Sequence, residues 1–252
     1  MSDGLEGVVA ADTVLSEVDG DAGRLVIRGY SLDQLSGRVS FEDVAHLLFE
    51  GFFDELKDAG DLTAALGRAR AEVFGEVAAL DARLKGLGVI EAVRALMARL
   101  PDGDDLATAL RLVAAPAVFT PAVTRARLGL APIAPDASLG HAKDMLRMIK
   151  GRMPTNAEAA GLDAYLVTVS DHGLNASTFA ARVVASTRAG LTSACLADIS
   201  ALSKAETERI WLPFAVWLVA APALLPRRSH RFCLVVQALG ALVINSLLLT
   251  TW

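Results

Sequence analysis

The chain has 252 residues, 53% hydrophobic and 21% charged, with few aromatics and a formal net charge of −5. This length can bury a substantial core, and the acidic balance argues against a nucleic-acid surface on the main body. Cys195 and Cys233 stand far apart, and only His230, three residues before Cys233, lies near either of them; two cysteines and one neighbouring histidine are too few for a disulfide framework or a zinc site.

The opening Met1-Ser2-Asp3-Gly4-Leu5-Glu6 is acidic and lacks the basic region and apolar run of a secretory signal, so a reducing, cytoplasmic setting is expected. Val8-Val9-Ala10, Thr13-Val14-Leu15 and Leu25-Val26-Ile27 are short β-leaning runs punctuated by Asp19-Gly20-Asp21-Ala22-Gly23. They predict a small hairpin or meander within residues 1–30. From Ser31 the pattern turns helical. Ser40-Phe41-Glu42-Asp43 places a capping hydroxyl three residues before an acid, with Val44, Leu47 and Leu48 following at helical spacing. Further helices are predicted over roughly 54–72, 76–85, 88–99, 104–129, 138–150 and 156–169, with Pro101-Asp102-Gly103 and Ala131-Pro132-Ile133-Ala134-Pro135 as breaks. No repeat marks a solenoid. The fold expected is all-α, a helical body over residues 31–202 carrying a small N-terminal β segment.

Thr168-Val169-Ser170-Asp171 ends one helical pattern and Leu174 to Ser186 begins another, so His172 falls in a turn at a helix N-terminus. Free backbone N–H groups and the positive end of the helix dipole favour a carboxylate there. His172 adds a donor and Asn175 a neutral one. Taken alone, Asp171 serves equally as an N-cap and His172 as a turn residue bonded to the backbone. His46, on the helix of Val44 and Leu47, is read as packed or partly exposed. His141, opening the helix before Met145 and Met148, is read as a capping or surface residue. Arg182, two turns beyond Asn175, either faces the turn or is solvated or ion-paired.

Two stretches resemble the citrate synthase and methylcitrate synthase family. One runs from Gly4-Leu5-Glu6-Gly7-Val8-Val9-Ala10-Ala11 through Asp19-Gly20 and Gly23-Arg24-Leu25-Val26-Ile27-Arg28-Gly29-Tyr30 to the Ser40-Phe41-Glu42-Asp43-Val44-Ala45 helix. The other, Ser170-Asp171-His172-Gly173-Leu174-Asn175-Ala176-Ser177-Thr178-Phe179, looks like the family's oxaloacetate-site histidine motif. The resemblance covers about residues 4–202, the N-terminal portion of the family. It implies a mostly helical homodimer that condenses acetyl-CoA or propionyl-CoA with oxaloacetate in tricarboxylic acid cycle-type chemistry. The acyl-CoA is then a substrate, with no separate cofactor, and His172 and Asn175 are substrate-binding.

The resemblance also implies a following Gly-Pro-Leu-His-Gly-Gly type turn, a later Gly-His-Arg segment, a catalytic aspartate and carboxylate-binding arginines. Ile199-Ser200-Ala201-Leu202 fits the approach to that turn, but Ser203-Lys204-Ala205-Glu206-Thr207-Glu208-Arg209 does not contain it. His230 lies in Arg227-Arg228-Ser229-His230-Arg231, outside any matching context, so no catalytic residue is assigned. All 29 acidic residues precede Arg209; Trp211 to Leu225 is uncharged, and so are the 21 residues from Phe232 to Trp252. At about 1.5 Å per residue the last run is long enough to span a hydrocarbon core of roughly 30 Å. Residues 203–252 are therefore expected to be a divergent hydrophobic tail, either an out-of-frame extension or a membrane contact through 210–252. The function expected is that of a truncated acyltransferase homologue without turnover alone. The alternatives are a binding or regulatory subunit pairing with a complete synthase or complementary half, and a membrane-tethered helical protein.

Overall fold

Antiparallel pairing begins at Ser16. β1 (Ser16–Asp19), β2 (Arg24–Ile27) and β3 (Tyr30–Ser31) form a meander in the order β1-β2-β3, with Ser16 opposite Ile27 and Ile27 opposite Tyr30. The computed structural model describes residues 13–20, 22–171, 173 and 176–199, all within the unit Met1–Leu202. The tail and its expected membrane contact lie outside the described residues.

Helices follow in the order α1 (Leu32–Leu35), α2 (Phe41–Phe49), α3 (Ala59–Val73), a 3-10 turn (Phe74–Ala79), α4 (Ala82–Gly86), α5 (Val89–Met97), α6 (Leu106–Arg127), α7 (His141–Lys150), α8 (Asn156–Thr168), α9 (Ala176–Ser186) and α10 (Leu191–Asp198). The fold is all-α with a small N-terminal sheet, as expected. Local side chains set most starts. Ser40 Oγ accepts from Asp43 N at 3.1 Å while Asp43 Oδ2 accepts from Ser40 N at 2.8 Å, the reciprocal box that begins α2. Asp58 accepts from Asp61 N at 2.9 Å, which starts α3 later than the hydrophobic pattern alone suggested. The single helix predicted over 76–85 is instead two pieces. Asp81 Oδ1 accepts from Arg83 N and Leu84 N at 2.8 and 2.9 Å, so a new helix begins at Ala82 after the 3-10 turn ends.

α6 runs through the centre and packs against α3, α5 and α7. Leu62, Leu66, Val73, Leu96, Val118, Phe119, Val123 and Met148 are sealed from solvent around it, each burial contributing about 1.5–3 kcal/mol. Pro116 and Pro121 sit inside α6, where a proline removes one rung of the helix ladder and costs about 3 kcal/mol. Burial of 11 of the helix's 22 residues offsets this. The same burial accounts for its apolar length, which by composition alone would suffice to cross a membrane.

Where α3 meets the 131–140 segment the backbones touch. A side chain added at Gly67 would overlap the carbonyl oxygen of Ala137. Gly67→Ala is expected to destabilise the fold by about 1–3 kcal/mol through overpacking, measured as a lower midpoint in urea. An unchanged midpoint would show that the 131–140 segment is not seated on α3.

Candidate functional site

The turn between α8 and α9 is built from its ends inward. At the close of α8, Thr168 Oγ1 donates to Ala164 O at 2.7 Å and Ser170 Oγ to Val167 O at 2.8 Å, so these hydroxyls add second donors to carbonyls of the last turns of the helix. Asp171 follows, and its Oδ1 accepts from Gly173 N at 2.7 Å and from Ser16 Oγ of β1 at 2.5 Å. Gly173 has φ +86°, a left-handed conformation that glycine adopts without strain. A Cβ there would stand 2.6 Å from Val18 Cγ2, also on β1. The chain then enters α9, whose first N–H groups and dipole make its N-terminus receptive to an anion. His172 and Asn175 themselves lie outside the described residues. Arg182 is exposed on α9, and His46 is half-buried on α2.

α9 packs against α10, and α10 is held from a distance. Its N-cap is Gly190, which has no side chain to offer. Asp102, in the loop before α6, takes that place, accepting from Thr192 N at 3.0 Å, Ser193 N at 3.4 Å and Ser193 Oγ at 2.5 Å. The Ser193 hydroxyl, with the backbone N–H groups, holds the Asp102 carboxyl below its usual range. Nothing in Pro101-Asp102-Gly103 signals this role, because a cap is normally local and this one reaches across 90 residues.

A second polar cluster is buried. Arg70 and Asp144 are both fully enclosed, with Arg70 Nε 3.0 Å from Asp144 Oδ2. Arg70 Nη2 also donates to Leu139 O at 2.6 Å, and Arg147 Nη2 donates to Asp144 Oδ1 at 2.8 Å. His141 corrects the sequence expectation of a surface or capping residue. It is 4% exposed, its ring lies 4.9 Å from that of Phe41, and its backbone N donates to Glu42 Oε1 at 2.6 Å. Burial, and secondarily the Arg70 guanidinium, lowers its pKa to about 3. Arg70 Nη1 approaches His141 Nδ1 at 3.4 Å. A guanidinium only donates, so Nδ1 carries the lone pair and Nε2 the proton. The cluster pins the 131–140 segment to α3 and α7. Among the described residues no three His, Cys, Asp or Glu side chains gather as a metal site. A cleft of about 340 Å³ lined by Val77, Leu80, Lys85, Ala126, Leu130 and Pro132 contains none of the turn's residues.

The family model described as "Citrate synthase, C-terminal domain" matches residues 4–206. The chain belongs to the citrate synthase family. This family member is 37% identical over 210 residues to a 2-methylcitrate synthase of Mycobacterium tuberculosis, covering 79% of the chain and 53% of the relative. It is 36% identical over 214 residues to a citrate synthase of Haloferax volcanii, covering 79% and 56%. A solved citrate synthase from Thermotoga maritima shares the fold with a TM-score of 0.68 at 27% identity, over 80% of this chain and 55% of that one. The chain thus spans about half the length of the curated relatives it matches.

Proposed function

We propose that this chain binds the 2-oxo dicarboxylate of a citrate or methylcitrate synthase, oxaloacetate, at the α8–α9 turn, and that these residues alone do not complete the condensation with acetyl-CoA or propionyl-CoA. The observation carrying the reading is the turn itself: in a family member, the segment around the histidine of the motif leads into the N-terminus of a helix. There α9's free N–H groups would take one carboxylate, with His172 and Asn175 as side-chain donors.

Condensation asks for more. Removing a proton α to a thioester needs a positioned base and a donor for the enolate oxygen, and neither is matched in Ser203 to Arg209 or in the uncharged runs beyond. Groups that act as a unit are not replaced by binding alone.

Oxaloacetate binding followed by calorimetry is expected to weaken by at least about tenfold in His172→Ala, the loss of one charge-assisted hydrogen bond. Unchanged binding would remove the site. Thiol release from either acyl-CoA is expected to stay below about 1 s⁻¹, under the ordinary enzyme range. The half-length match and the exposed Val183 on α9, 49% accessible, favour a second reading, pairing with a complete synthase or a complementary half. Activity that appears only when such a fragment is added distinguishes it.

A further inference from the structure

The residues on both sides of His172 are held by one strand some 155 positions earlier in the chain. We propose that Ser16 and Val18 are positioning residues for the α8–α9 turn, acting through Asp171 and Gly173, the described residues that flank His172 in the chain. The inference rests on the reading of His172 as a dicarboxylate ligand.

An aspartate beside an anion site is a liability, since like charges within about 4–6 Å oppose each other. Here Asp171 Oδ1 is engaged by two donors, Ser16 Oγ at 2.5 Å and Gly173 N at 2.7 Å. Its charge is thereby held on the β1 side of the turn. On the other flank, a Val18 methyl occupies the space that any side chain at position 173 would need, 2.6 Å from the Cβ position. Together with the φ of +86° at Gly173, this selects one path for the backbone.

The strand that does the holding is itself braced against α8. Arg28 N donates to Leu15 O at 2.8 Å, β1 pairs with β2, and Ile27 of β2 is buried with Leu35, Val44 and Val167 of α8. Ser36 Oγ meets Thr168 Oγ1 at 2.8 Å. The sheet and the end of α1 are therefore both joined to the last turn of α8, on the side from which the chain enters the turn.

The test follows the histidine ring signals of the full, ¹³C-histidine-labelled chain by NMR across pH, with His172 assigned by its loss in His172→Ala, alongside oxaloacetate titration. Ser16→Ala is expected to move the His172 midpoint by about half a pH unit or more and to weaken oxaloacetate binding about fivefold, as for one lost hydrogen bond. The His46 signal stays in place, and Ser16→Thr, which keeps the hydroxyl, restores wild-type values. A His172 titration in Ser16→Ala that superimposes on wild type would overturn the proposal. A wild-type chain that binds no oxaloacetate removes the dicarboxylate reading alone, and the ring titration then decides the positioning role. If Ser16→Ala does not fold, Val18→Ala is expected to give the same displacement, and its absence there is equally decisive.

Discussion

Replacing Asp144 by alanine is expected to cost about 3–5 kcal/mol of unfolding free energy, the range for removing one partner from a buried ion pair. Asp144 Oδ2 accepts from Arg70 Nε at 3.0 Å, Oδ1 accepts from Arg147 Nε at 3.0 Å, and both oxygens accept from Asp136 N at 3.1 Å. Without the carboxylate, the fully buried Arg70 guanidinium keeps only Leu139 O at 2.6 Å, Asp136 O at 3.4 Å and His141 Nδ1 at 3.4 Å. Neutral acceptors do not compensate a charge removed from water. Urea denaturation measures the loss. The double variant Arg70→Met, Asp144→Leu should recover much of it, since apolar replacement of a whole buried pair is often neutral. A loss below about 1 kcal/mol for Asp144→Ala, as for an exposed pair, would show that the cluster is not closed in solution.

Acidification is expected to destabilise the protein well before its carboxylates titrate, through His141. Its folded pKa of about 3 lies below the ordinary 6.5, so between those values the unfolded chain binds a proton that the folded chain refuses. Stability is therefore complete above about pH 6.5 and falls as pH drops toward 3. The loss from this one group reaches about 2 kcal/mol at pH 5. Denaturation midpoints of wild type and His141→Gln, compared over that window, isolate the effect, because glutamine keeps an acceptor for Arg70 without titrating. Parallel pH profiles for the two proteins would show that His141 is not buried as a neutral ring. Glu158 adds a later loss. Its carboxyl is held well below the usual range by Arg152, Lys150 and the Thr155 backbone N–H, and this contribution disappears only as pH falls through that lowered value.

The elements legible in the sequence are those whose cause is local. Ser40 and Asp43 lie three residues apart and each satisfies the other's backbone N–H, so the start of α2 can be read from a tetrapeptide. The 3.6-residue spacing of apolar side chains likewise located α5, α6 and α8 despite the two prolines in α6. What stayed hidden depends on partners distant in the chain. From its place at the start of a helix, His141 reads as a capping or surface residue. The groups that enclose it, Phe41, Glu42 and Arg70, come from α2 and α3. Asp102 reads as a turn residue until Gly190 is brought beside it. Ser16 reads as one more polar residue in a short strand. For the candidate site, His172 and Asn175 were named from their motif and a helix boundary, whereas the supporting contacts from β1 became visible only in the fold.

The link from Ser16 to Asp171 also orders events during synthesis. At about 5–20 residues per second, the 155 positions that separate them take roughly 8–30 s to emerge. For that interval the meander exists without the helix end it packs on, and Ile27 lacks Val167, one of its three buried companions. A three-stranded sheet of this size is marginal without a packed face. The first segment of the body to leave the ribosome is thus among the last to be secured, and a nascent chain stalled before α8 would present Leu25 and Ile27 to whatever binds apolar strands.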